Sequence, residues 1–153
     1  MSAVIEGHHD DHHHGPAKGI TRWLYTTNHK DIGSLYLWFS FIMLFIGGAM
    51  AMVIRAELFE PGSQIVSPEF YNQMVTNHGL IMVFGVIMPA FVGFANWLIP
   101  MQIGAPDMAL PRLNNLSFWI LPAAFGVLLS TFFMEGGAPN FGWTFYAPLS
   151  TEY

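Results

Sequence analysis

Three runs free of Asp, Glu, Lys and Arg decide what this chain can fold into. They are Gly33 to Ile54, about Asn77 to Pro100, and Leu116 to Met134. Each has 19 to 24 residues. A helix needs about 20 residues, rising 1.5 Å each, to cross about 30 Å of hydrocarbon. Lipid offers no partner to a free backbone N–H or C=O, so spans of this kind are expected as α-helices. The expected fold is therefore an all-α transmembrane bundle with helices at about 33–54, 77–100 and 116–134. Pro89 and Pro122 fall inside the second and third runs. They are expected to kink those helices rather than end them.

Composition agrees with lipid as the main solvent. Only 10% of the 153 residues are charged and the mean hydropathy is +0.42. A soluble domain carries about 25% charged residues. The net charge of -5, without basic clusters, argues against nucleic acid as a partner. The absence of cysteine excludes disulfides and thiolate metal sites. No apolar signal-peptide core precedes the first run. Residues 1–25, with "HHDDHHHG", are expected to be a disordered His-rich tail; transient metal binding is the alternative. Lys18, Arg22 and Lys30 precede the first run and Arg112 lies in the second loop, whereas the first loop has Arg55 against Glu57, Glu60 and Glu69. The positive-inside rule then puts the N-terminus on the cytoplasmic side of a multi-pass protein.

A histidine, His78, stands at the start of the second run, behind Thr76 and Asn77. Asn96 comes 18 residues later, five turns at 100° per residue. On a regular helix both lie on one face, about 27 Å apart along the axis. Met82, Gly85 and Pro89 are close to the same line. On the first helix Gly48, Ala51 and Arg55 form a small-residue stripe ending in a guanidinium. A neutral imidazole can ligate iron, and an arginine can bind the acidic or carbonyl substituents of a flat cofactor. Spacing leaves two readings of each residue open. His78 is either an interfacial polar residue or a haem ligand. Arg55 is either a headgroup anchor or a cofactor contact.

The stretches "TTNHKDIGSLYLWFSF", "IRAELFEPG", "TNHGLIMVFGVIMPAFVGFANWLIPMQIGAPDMALPRLNNLSFWILP" and "GWTFYAPLS" resemble subunit I of the haem–copper respiratory oxidases, most of all a bacterial cytochrome c oxidase. The resemblance covers roughly residues 26–150. It implies that His78 is an axial ligand of a low-spin haem, haem a, and that Arg55 contacts that haem's ring substituent. It implies that Asp107 stands at the mouth of a proton-uptake channel, with Asn96 and Asn114 holding water in it and Tyr36 lining it. Glu57 and Gly62 match positions that bind a non-redox cation in some members. Asp107 and Asn114 also have plain readings, as a solvated loop carboxylate and a helix cap.

The family's subunit has about twelve helices, so this chain is expected to be an N-terminal fragment with three, inactive by itself. The copper ligands, the second ligand of the low-spin haem and the high-spin haem's pocket should lie outside it. The function implied is proton-pumping electron transfer from cytochrome c to O2. The expected setting is the bacterial inner membrane, with other oxidase subunits and lipid as partners. The rival within the superfamily is a quinol oxidase. Ile46, Met50 and Phe70 stand where quinol-oxidising relatives tend to carry charged residues and a histidine, which favours cytochrome c. The rivals from other classes are a three-helix membrane anchor for haem b and a purely structural membrane protein.

Overall fold

The computed structural model describes residues 19–152. Among these there are helices and no strands. A short helix α1 (Ile20–Tyr25) leads into α2 (His29–Glu57). A second long rod comprises α3 (Pro68–Leu80), a π-helical segment (Ile81–Ile87) and α4 (Met88–Ile103). Next comes α5 (Pro111–Ser130), which tightens into a 3₁₀ turn at Thr131–Phe133, and finally the one-turn α6 (Leu149–Glu152). Three stretches are long and apolar enough to cross a membrane: His29–Glu57, Pro68–Ile103 and Pro111–Phe133.

All three exceed the apolar runs, because capping residues set their ends rather than hydropathy. The Asn28 side chain accepts from Lys30 N at 2.8 Å and starts α2. Ser67 accepts from Phe70 N, and Pro68 and Pro111 occupy first-turn positions where a missing N–H loses nothing. Gly104, at φ 70°, ends α4 in the left-handed conformation, and Ala105 N donates to Pro100 O. The 29-residue α2 is about 43 Å long, so its ends project beyond a hydrocarbon core of about 30 Å.

Pro122 stands inside α5, which continues through it as one α-helix. Pro89 has a different consequence. The seven residues Ile81–Ile87 wind as a π-helix, with Met88 N donating to Val83 O five residues back. Wider turns of this type take up extra chain within an α-helix. Ser40 of α2 donates to Val86 O inside the segment at 2.8 Å, giving a disturbed carbonyl row an outside donor.

Helix α2 is the hub. Ile32, Tyr36, Phe39, Met43 and Met50 recur mostly at three- and four-residue steps and are buried. Phe118 and Phe125 of α5 meet them edge to face, Tyr36–Phe118 at 5.2 Å and Phe39–Phe125 at 5.6 Å. On its other side α2 crosses α4 at two glycines. A Cβ on Gly33 would come within 2.6 Å of Trp97 Cδ1 and 2.9 Å of Gly93 O. Only a residue without a side chain permits this approach.

Part of the tail expected to be disordered is helical. Arg22 forks onto Asp31, with Nη2 to Oδ1 at 2.7 Å and Nε to Oδ2 at 3.0 Å. Trp119 Nε1 donates to Leu24 O. These bonds hold α1 against the start of α2 and against α5. The histidine cluster lies outside the described residues.

Candidate functional site

His78 lies ten residues inside the Pro68–Ile103 rod, about 15 Å from its start, and not at a helix mouth. The imidazole is partly buried, and its Nδ1 is hydrogen-bonded, at 2.9 Å, to the Gly47 carbonyl of α2. A carbonyl can only accept, so Nδ1 carries the hydrogen and the lone pair of the neutral ring is on Nε2. Nε2 has no hydrogen-bond partner among the described residues. Gly47 is packed tightly: a Cβ there would lie 2.8 Å from Met82 Sδ and 3.1 Å from Ile81 Cγ2.

The stripe read from sequence on α2 lies beside this contact. Gly48 has open space where a Cβ would be, and Arg55 is exposed. Arg55 makes no ion pair among the described residues, and lies eight residues, about 12 Å along the axis, beyond Gly47. The line through Met82, Gly85 and Pro89 is occupied by protein. Phe125 fills the notch at Gly85, with Cε1 3.0 Å from where its Cβ would be.

His78 and Asn96 both lie against α2, at Gly47 and at Gly33 and His29 respectively. The Asn96 side chain also accepts from Asn114 Nδ2 of α5. Asn96 is buried, and its amide also donates to Val92 O at 2.9 Å.

The remaining polar residues form a connected path at the His29 end of the bundle. Asp107 Oδ1 accepts from His29 N at 3.2 Å and from Met108 N at 2.8 Å. The His29 Nδ1 donates to Asn96 O at 2.8 Å. Asn96 joins Asn114, whose carbonyl accepts from Ser117 Oγ at 2.7 Å. Ser117 Oγ and the Tyr36 hydroxyl are 2.9 Å apart. His29 and Ser117 are members that sequence reasoning missed. His29 has a signal in its spacing: it stands four, seven and eleven positions before Gly33, Tyr36 and Ser40, on the helix face turned inward. Along α2, His29 and Gly47 are 18 residues apart, so the path and His78 are separated by about 27 Å.

At the opposite end, Glu57 is buried and serves the loop after α2. Its Oε1 accepts from Gln64 N at 2.7 Å, and its Oε2 from Ile65 N at 2.9 Å and Val66 N at 3.0 Å. Gly62, at φ 103°, lies in the same loop. The two border a cavity of about 490 Å³ together with Glu60, Ser63, Tyr71 and Asn72. No group of three or more His, Cys, Asp or Glu side chains converges among the described residues.

Residues 31–153 match the family model described as Cytochrome C and Quinol oxidase polypeptide I. The chain is 49% identical over 138 residues to "Cytochrome c oxidase subunit 1" of Corynebacterium diphtheriae, covering 89% of this chain and 24% of that protein. It is 50% identical over 137 residues to "Probable cytochrome c oxidase subunit 1-alpha" of Streptomyces avermitilis, covering 88% and 23%. It is 50% identical over 135 residues to "Cytochrome c oxidase subunit 1" of Corynebacterium glutamicum, covering 87% and 23%. The chain thus spans about a quarter of the length of these curated relatives.

Proposed function

The chain belongs to the cytochrome c and quinol oxidase polypeptide I family, and from that premise we propose that it forms one wall of the low-spin haem site and the mouth of the proton path of a cytochrome c oxidase. The observation that carries this reading is the His78–Gly47 bond. Iron-ligating imidazoles donate their second N–H to a carbonyl or carboxylate, which fixes the tautomer and aims the lone pair. His78 has this arrangement, with Nδ1 engaged and Nε2 unpartnered among the described residues. Arg55 is exposed and forms no ion pair among them, and the uncovered stripe from Gly48 to Arg55 leaves a face open to a flat group.

A low-spin haem, when bound, supplies reversible one-electron chemistry at iron. His78 would hold it through Nε2. Arg55 would pair with its ring substituent, and its positive charge favours the more electron-rich state. The haem type proposed is haem a. A second ligand of this haem, the high-spin haem and the copper would be held by other parts of the subunit.

At the far end of α2, Asp107 collects protons. The amides of Asn96 and Asn114 each donate and accept, so they can order water beyond Asp107. Ser117 and the Tyr36 hydroxyl continue the polar line into the bundle. A route of this kind is required, because O2 reduction consumes protons and hydrocarbon does not conduct them. Cytochrome c is the proposed donor, supported by the names of the relatives and by the apolar Ile46, Met50 and Phe70. The proposed setting is the bacterial inner membrane, N-terminus cytoplasmic, beside the other oxidase subunits. A cation between Glu57 and Gly62 is proposed as a minor, structural role of the outer loop.

The test is His78→Ala in the full-length subunit. The reduced-minus-oxidised spectrum should lose its low-spin band. A full band in the variant would remove His78 from the iron, and extraction of haem b without haem a would favour the haem b anchor.

A further inference from the structure

His78 points to α2, but its chain neighbours face elsewhere, and the same segment holds each of them. Thr76 and Asn77 are almost wholly buried, at 1% and 0% exposure. What covers them is the stretch after α5. Gly142 N donates to Thr76 Oγ1 at 2.9 Å, and Asn77 Nδ2 reaches Pro139 O at 3.4 Å. Trp143 lies on Gly79, where a Cβ would meet Trp143 Cδ1 at 3.1 Å and Cγ at 3.3 Å. Thr76 and Asn77 are also tied down the helix, to Asn72 O and Gln73 O at 2.8 Å each. Gly136, Gly137 and Gly142, with φ of 92°, 76° and 77°, supply the left-handed turns by which the segment tracks the helix surface.

We propose that residues 137–143 form a latch closed on Thr76, Asn77 and Gly79, and that this latch positions His78 and shields its ligand turn from water. The inference rests on the reading of His78 as a haem ligand and adds the residues that fix it. Four successive residues then divide two tasks: one imidazole faces α2, and its three neighbours grip the segment that closes over the helix. The grip is polar at Thr76 and Asn77 and steric at Gly79. Opening it frees the helix turn bearing His78 and admits water. Water favours the more highly charged oxidised state of a nearby iron centre, so the potential falls.

The experiment uses the complete oxidase with Thr76→Val, Thr76→Ser, Gly79→Val and Trp143→Ala. Two readings are taken: backbone hydrogen exchange of residues 137–143, and the midpoint potential of the low-spin haem. Thr76→Val removes the acceptor of Gly142 N and should speed exchange there up to about tenfold. Gly79→Val and Trp143→Ala should speed exchange across the segment. In all three the potential should fall, and Thr76→Ser, which keeps the hydroxyl, should restore both readings. Trp143→Ala removes no atom of the Pro68–Ile103 rod, so it reports on the latch even where Gly79→Val hinders folding. Unchanged exchange in Thr76→Val and Trp143→Ala overturns the latch. Faster exchange with an unchanged potential overturns its coupling to His78. Failure of the haem reading is seen separately, as a low-spin band that survives His78→Ala.

Discussion

Replacing Asp107 by Asn and by Ala separates the carboxylate's charge from its hydrogen bonds. Asp107 Oδ1 accepts from His29 N, the first residue of α2, and from Met108 N. Asn keeps an oxygen in that place and loses only the charge. An anion at a helix N-terminus contributes about 0.3–1 kcal/mol, so Asp107→Asn should cost no more than that. Ala also leaves the His29 N–H without its acceptor. Loss of a capping oxygen costs about 1 kcal/mol more, giving about 1–2 kcal/mol for Asp107→Ala. The proton path makes a different demand, since neither replacement carries a charge that can collect protons. Both variants of the complete oxidase should therefore slow O2 reduction or lose proton pumping to the same degree, although only one is clearly less stable. Thermal unfolding of the purified complex checks the first half. Oxygen uptake and proton release, measured together in reconstituted vesicles, check the second. Wild-type uptake and release in Asp107→Asn, with losses confined to Asp107→Ala, would refute the reasoning and reduce Asp107 to a cap for α2.

Arg55→Met should leave the low-spin haem bound but lower its midpoint potential, because a cation that favours the electron-rich state is lost; redox titration with an unchanged midpoint would make Arg55 a headgroup anchor. Asn96→Ala leaves the partly buried Asn114 Nδ2 without its acceptor and should destabilise by about 1–3 kcal/mol, read as a lower denaturation midpoint. Gly33→Val drives a side chain against Trp97 and the Gly93 carbonyl, and overpacking of this kind costs about 1–3 kcal/mol, seen as a drop in the unfolding temperature and in yield.

The three spans are legible in the sequence because charge is absent from each and lipid leaves the helix as the one way to satisfy the backbone. Their ends are not legible from hydropathy, since Asn28, Ser67 and Gly104 lie outside the apolar runs. Capping chemistry moves the boundaries outward: Ser67-Pro68 and Leu110-Pro111 are both readable helix starts. The π-helical segment leaves no mark, because "IMVFGVI" would suit a regular helix equally well and only the missing N–H of Pro89 hints at a disturbance. Counting at 100° per residue sets Asn96 on the face of His78, and both residues lie against α2. The Asn96–Asn114 contact joins residues that the family resemblance groups. His29 stays hidden within a charged stretch, "NHKD", which reads as a solvated helix start until Asp107 and Asn96 are seen to close around it.

The π-helical turn lets the Pro68–Ile103 rod absorb a kind of change that the rest of the bundle does not. Wherever helix phase is regular, a substitution alters one side chain and leaves its neighbours facing the same way. Between Ile81 and Ile87 the chain carries slack, and removing a single residue there would let an ordinary helix form in its place. The residues beyond it would keep close to their phase, whereas a residue taken out of a regular helix turns the remainder by about 100°. A deletion between Met88 and Phe91 would therefore swing Asn96 off Asn114, Gly93 off Gly33, and Trp97 off Ser34. Along this rod, an alignment gap between Ile81 and Ile87 leaves the wiring in place, and a gap elsewhere between His78 and Asn96 describes a differently wired protein.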